Sequence, residues 1–193
     1  MLNILFEFLS TFLHNIYYQY ITKSYKNTLK YLKNNNLTFR LHTEDARIAL
    51  AKSDTVYDYI FLDAFSPVKC PCLWTVDFFK LLHERLDENG IILTYSNAAS
   101  VRHAFLEAGF FTGKTVRHGK SIGTAASKNP ALIKSPLSEY DLGLIKTKAG
   151  IFYRDENLSL DNEAIIAQHI KDVENSVLMS GSKYIKQASR SSN

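Results

Sequence analysis

Apolar positions along this chain change rhythm several times, and each change marks an element. Leu5, Leu9, Phe12, Leu13, Ile16 and Tyr20 fall at helical spacing and predict an amphipathic helix over about residues 3 to 22. A second helix is predicted from Lys23 to Lys33, and Asn34-Asn35-Asn36 breaks it. Leu37-Thr38-Phe39-Arg40-Leu41-His42 then alternates with period 2, as a half-buried strand does. Helical spacing returns at Ala46-Arg47-Ile48-Ala49-Leu50, with Thr43 or Asp45 placed to cap it. Tyr57 to Leu62 reads as a buried strand, and Trp74 to Leu86 as a helix with Phe78, Phe79, Leu81, Leu82 and Leu86 on its apolar side. Asn89-Gly90 is the expected stop before a third strand, Ile91-Ile92-Leu93-Thr94-Tyr95. Ser100 to Ala108 is the next helix, closed by Gly109. Phe110 to Arg117 and Gly123 to Ser127 suit a terminal hairpin around Lys120-Ser121-Ile122-Gly123.

Strands alternating with helices specify a doubly wound parallel sheet, so the fold class is α/β and Rossmann-like. Only three good parallel strands are visible, fewer than such sheets usually carry. After Asn129 the character changes: Pro130, Pro136 and scattered Ser and Lys suggest a surface connection. Ile165, Ile166, Ile170 and Val173 then mark one tail helix, and a frayed polar end is expected after it. The predicted organisation is N-terminal helices over 1–36, an α/β domain over 37–128 and an extension over 129–193.

Composition adds limits rather than direction. The net charge of +4 permits a polyanionic partner without requiring one. Cys70-Pro71-Cys72 holds both cysteines, too closely spaced for a zinc pair and with no second pair to complete four ligands, so no metal is expected. A reducing compartment, cytoplasm or plastid stroma, suits them. The N-terminal apolar stretch has no positive leader and no cleavage site, and Glu7, Ser10, Thr11, His14 and Asn15 interrupt it. No membrane association is expected.

The chemistry concentrates where the second visible strand ends. Asp63-Ala64-Phe65-Ser66-Pro67-Val68-Lys69 directly follows Tyr59-Ile60-Phe61-Leu62. In open α/β sheets ligands bind just outside the carboxyl ends of strands, so a carboxylate and an aromatic here are candidate site residues. The plain alternative is that Asp63 caps the next turn and Phe65 is core.

Extended through Cys70-Pro71-Cys72-Leu73-Trp74-Thr75, this stretch resembles the signature of the MnmC-like methyltransferase domain. Glu88-Asn89-Gly90 through Ser96, then Val101-Arg102 and Glu107-Ala108-Gly109-Phe110, is similar to that family's next strand and helix. Gly119-Lys120-Ser121-Ile122-Gly123-Thr124 resembles its closing segment, and Tyr153-Arg154-Asp155 is similar to a C-terminal extension of stand-alone, cyanobacterial-type members. The resemblance implies a class I fold that uses S-adenosylmethionine (SAM), with tRNA as partner and an aminomethyl group on the wobble uridine as acceptor.

It also implies roles for residues. Asp63 would orient the acceptor amine and Phe65 would stack on a splayed base. Asp45, in Thr43-Glu44-Asp45-Ala46-Arg47, would contact the adenine of SAM, although an N-cap role suits it equally. Pro67 and Trp74 would shape the acceptor side, and Tyr95 and Ser96 would line its pocket. Lys69, Arg102, Lys120 and Arg154 are candidate phosphate contacts.

One departure stands against the resemblance. Class I methyltransferases open with a strand and a Glu-x-Gly-x-Gly-x-Gly turn against the methionine part of SAM, yet the first glycine here is Gly90. The expectation is therefore an N-terminally incomplete member, without its first two strands. A truncated, inactive remnant or an RNA-binding module is the competing expectation.

Overall fold

The computed structural model describes residues 4–7, 42 and 44–191. Five strands form one mixed sheet: β1 (Ile4–Glu7), β2 (Tyr57–Leu62), β3 (Leu86–Thr94), β4 (Phe111–Arg117) and β5 (Lys120–Ser127), in the spatial order β1-β2-β3-β5-β4. β1, β2 and β3 run parallel, and β5 pairs antiparallel with both β3 and β4. In the doubly wound order 3-2-1-4-5-6, strand 1 neighbours strand 4 and strand 5 follows. β1, β2 and β3 take those three places, which is the Rossmann-like arrangement expected.

β1 corrects the N-terminal expectation. Residues 4–7 form a strand, where the apolar rhythm predicts a helix. A short apolar run does not itself distinguish the two; the edge of β2 decides, because a buried strand edge needs a backbone partner. A strand paired with β2 is therefore present at residues 4–7. The rest of the predicted first helix, the helix over 23–33 and the strand over 37–41 lie outside the described residues.

β2 has the predicted limits, with Ile60 and Leu62 buried. Helix α1 (Ala46–Ala51) precedes it, and a 3-10 turn at Pro71–Leu73 leads into α2 (Val76–Arg85). Thr75 caps α2 by accepting from the Phe78 N–H at 3.1 Å. Phe78, Phe79 and Leu82 on α2 are fully buried, and Phe79 stacks on Phe105 of α3 (Ala99–Glu107) at 4.0 Å between centroids. β3 starts earlier than the apolar run suggests. Leu86 leaves α2 in extended conformation and enters the core, so Asn89-Gly90 lies within the strand rather than before it.

The hairpin forms as expected, but its turn falls at His118-Gly119, before Lys120. Both residues have positive φ, 49° and 73°, which is the left-handed turn that matches strand twist. At Gly123 a Cβ would fall 2.1 Å from the Thr94 carbonyl oxygen, so only glycine lets β5 approach β3 there.

The extension holds three helices rather than one: α4 (Glu139–Ile145), α5 (Asn162–Asn175) and α6 (Gly181–Ser191). α4 is short but starts with a capping box between Ser138 and Asp141, and α6 packs Tyr184 against Tyr140. α6 replaces the frayed end expected from its polar composition. No helix among the described residues is long and apolar enough to cross a membrane.

Candidate functional site

Glu7, Leu62 and Thr94 are partners across β1, β2 and β3, so the three parallel strands end level. In open α/β sheets ligands bind just outside the carboxyl ends of the strands, and those of β1 and β2 lie side by side. The next residues alternate as the pleat requires: Asp63 faces outward, Ala64 is buried, and Phe65 is exposed again at 39%. Asp63 receives no hydrogen bond from a described residue, so the turn-capping role is not realised among them.

The loop carrying this pair is held rigidly from below. Trp74, fully buried, donates its indole N–H to the Phe65 carbonyl at 2.6 Å. The Tyr95 hydroxyl donates to the Ala64 carbonyl at 2.9 Å, and its ring meets Trp74 edge-on at 6.0 Å. Trp74 is thus a buried support beneath the Asp63 loop. Tyr95 is exposed and close enough to Asp63 to feel it: burial first, then the Asp63 charge, raises the phenol above its ordinary pKa. Asp63, Phe65 and Tyr95 are the predicted residues that the structure brings together. Pro67 is half-buried in the same loop, and Lys69 is exposed on it.

Cys70 and Cys72 lie under this loop as buried thiols, sulfur to sulfur at 3.5 Å. The contact with Cys70, together with burial, pushes the Cys72 thiol far above its ordinary pKa, so it stays protonated.

Beside them stands Asp45, which takes the capping role expected of it. It caps α1, accepting from the Arg47 N–H at 2.9 Å, and its carboxylate also takes the Arg47 Nε and Nη2, the latter at 2.7 Å. Burial opposes ionisation of Asp45, but these bonds and the Arg47 charge outweigh it and lower its pKa. The side chain keeps 34% of its surface exposed, so a fixed, charged acceptor faces outward.

Two of the predicted contacts are corrected. Arg102 is buried and its donors are used internally, on Thr124 at 3.2 Å, Asp141 at 2.8 Å, Asn97 at 2.8 Å and Ser121 at 3.2 Å. It cannot reach a phosphate. Ser96 is buried too, its carbonyl accepting from the Thr124 hydroxyl at 2.6 Å, so it supports the edge rather than lining it. Lys120 is exposed at the hairpin tip opposite Arg117. Because Thr124 pairs with Thr94, the tip extends past the end of β3 on the acceptor edge. Arg154 stacks over Phe152 and lines an open cavity of about 390 Å³ with His103, Gln168 and Asp172, none of which lies at a strand end. Sequence reasoning gave no role to Arg47, Asn97, Asp141 or Asp155. The partners of Arg47 and Arg102 lie up to 113 residues away, so no local spacing reveals them.

The level strand ends, the Asp63 loop and the hairpin fit one family, and residues 7–129 match the model described as S-adenosyl-L-methionine-dependent methyltransferase. The chain belongs to that family. An uncharacterised protein of Methanocaldococcus jannaschii is 38% identical over 128 residues, covering 65% of this chain and 36% of its own length. The tRNA 5-methylaminomethyl-2-thiouridine biosynthesis bifunctional protein MnmC of Ralstonia nicotianae is 36% identical over 84 residues, covering 44% of this chain and 13% of its own. The crystal structure of MnmC2 from Aquifex aeolicus superposes with a TM-score of 0.69 at 30% identity, over 89% of this chain and 57% of that one. The chain thus spans less than two thirds of each of these relatives.

Within the methyltransferase family frame, the residues fit SAM unevenly. Asp45 presents one outward-facing carboxylate, and Asp63 presents another at the end of β2. β1 ends on Glu7, the first residue of a Glu-x-Gly-x-Gly-x-Gly pattern. Leu9, Thr11 and Leu13 stand where that pattern has glycine. The donor strand is therefore present, and the glycines after it are not.

Proposed function

We propose that this chain is a SAM-dependent N-methyltransferase acting on an aminomethyl group of a wobble uridine in tRNA. The observation that carries this is Asp63, an exposed carboxylate unengaged by described neighbours, on a loop pinned by Trp74 and Tyr95 at the end of β2. SAM would supply an electrophilic methyl group from outside the carboxyl ends of β1 and β2, with Asp45 on the adenosine side. The acceptor amine has to be neutral, with its lone pair aimed at that methyl carbon. Asp63 would accept a hydrogen bond from the amine, orient it and take up the proton released as the new carbon–nitrogen bond forms. Phe65 would stack on the uracil ring, and Lys69, Arg117 and Lys120 would meet the phosphates on either side of it. The buried thiols agree with a reducing compartment, cytoplasm or plastid stroma.

Calorimetric titration of the soluble, folded chain with S-adenosylhomocysteine tests the reading, and absence of binding would sink it. The second reading is an inactive remnant that still binds RNA, and Leu9, Thr11 and Leu13 at the glycine places favour it. It predicts steeply salt-dependent tRNA binding with no heat on titration of the nucleoside.

A further inference from the structure

The extension reaches the cofactor side of the site through one carboxylate. Asp155 is 1% exposed, and its Oδ2 accepts from Arg47 Nη1 at 2.6 Å. Its Oδ1 accepts from the N–H groups of Ser159 and Leu160 at 3.1 and 3.2 Å, and its own N–H donates to Asp77 on α2 at 2.7 Å. Arg47 Nη1 also donates to the Leu160 carbonyl at 2.9 Å. The guanidinium is thus shared: one end grips the buried Asp155 loop, while Nε and Nη2 grip Asp45.

The charges are unequal by design of the geometry. Two carboxylates surround one guanidinium, and Asp155 is fully enclosed while Asp45 is one third exposed. The excess negative charge therefore faces solvent on Asp45, at the edge where a ligand would sit. Orientation of the planar guanidinium depends on both ends, because Arg presents its donors in a fixed fork. Without Asp155, Arg47 would keep its charge but lose the anchor that sets its plane, and the Asp45 carboxylate would turn with it.

We propose that Asp155, acting through Arg47, is a positioning residue for Asp45 and so for the adenosine end of SAM. This rests on the methyltransferase reading above. It makes the extension part of the cofactor site, although it touches no ligand itself.

Titration with S-adenosylhomocysteine of the full-length chain, Asp155→Asn, Asp45→Asn and the double variant tests it. Coupling of the two sites predicts that Asp155→Asn weakens binding by about tenfold and that the double variant binds no more weakly than Asp45→Asn alone. Affinity for a tRNA anticodon stem-loop is expected to stay within about twofold in all four proteins. Where Asp155→Asn does not fold, Arg47→Lys keeps the buried charge while losing the fork, and the same selective loss is expected. Binding by the parent chain with no loss in Asp155→Asn, additive losses in the double variant, or equal losses for stem-loop and nucleoside would overturn the positioning role and leave the methyltransferase reading intact. No binding by the parent chain would overturn both.

Discussion

Asp63 is the residue on which the reading turns, and its surroundings make a clean test. It is exposed, and its carboxylate has no described partner, so replacing it disturbs little of the fold. Asp63→Asn is expected to reduce methyl transfer to tRNA by about a hundredfold or more. Its thermal midpoint and S-adenosylhomocysteine affinity should stay those of the parent. Phe65 offers the complementary case: removing its ring should raise KM for tRNA by the worth of one base stack, about 1 to 3 kcal/mol, with kcat largely kept. Both residues were legible in the sequence because a pleated strand end alternates outward and inward, and one register fixes them all. Arg102 was not legible. A lone arginine on a helix looks the same whether it faces solvent or Asp141, and only the packing of α4 decides.

At the scale of elements, the loop from Asp63 to Trp74 and helix α4 each depend on a particular bond. Trp74→Phe keeps most of the buried ring but leaves the Phe65 carbonyl without its donor. A loss of about 1 to 3 kcal/mol in denaturant unfolding is expected, with weaker tRNA binding as the loop loosens. Asp141 ties α4 to Arg102 and Lys114 at 2.8 and 2.9 Å. Burial works against its ionisation, yet bonds from Ser138 and Lys114 and the Arg102 charge bring its pKa down to about 2. A lowered carboxylate pKa stabilises the fold above the ordinary value near 4, and that contribution is lost as pH falls toward 2. Stability should therefore drop across that window, by on the order of 1 kcal/mol for this group once solvent screening is allowed for. Asp141→Asn should flatten that part of the profile measured by urea unfolding. Caps and turns of this kind could be read locally at Asp45 and Gly109. The His118-Gly119 turn and the early start of β3 could not, since strand pairing and core entry of Leu86 set them.

For the whole molecule, the extension and the sheet are one cooperative structure. Arg47 and Arg102 are both buried and both neutralised by carboxylates from beyond residue 129. Cutting the chain after Asn129 would leave Arg102 without its carboxylate and Arg47 with Asp45 alone, and the unpaired cation by itself costs about 3 to 5 kcal/mol, a large part of an ordinary folding margin. Such a fragment should be insoluble, or molten by near-ultraviolet circular dichroism, even though it retains the family match. The sequence by itself determined the α/β class, the strand at Tyr57 to Leu62, the exposure of Asp63 and Phe65 beyond its end, and the absence of glycine before Gly90, because alternation, strand-end chemistry and backbone permissiveness are local properties. Tertiary structure alone decided that Ile4–Glu7 is a strand beside β2, and that Ser96 and Arg102 are supports rather than contacts. It alone also decided that Asp155 stands behind Asp45. Those outcomes depend on which groups remain to be buried or neutralised once distant parts of the chain have met, and no local spacing records that.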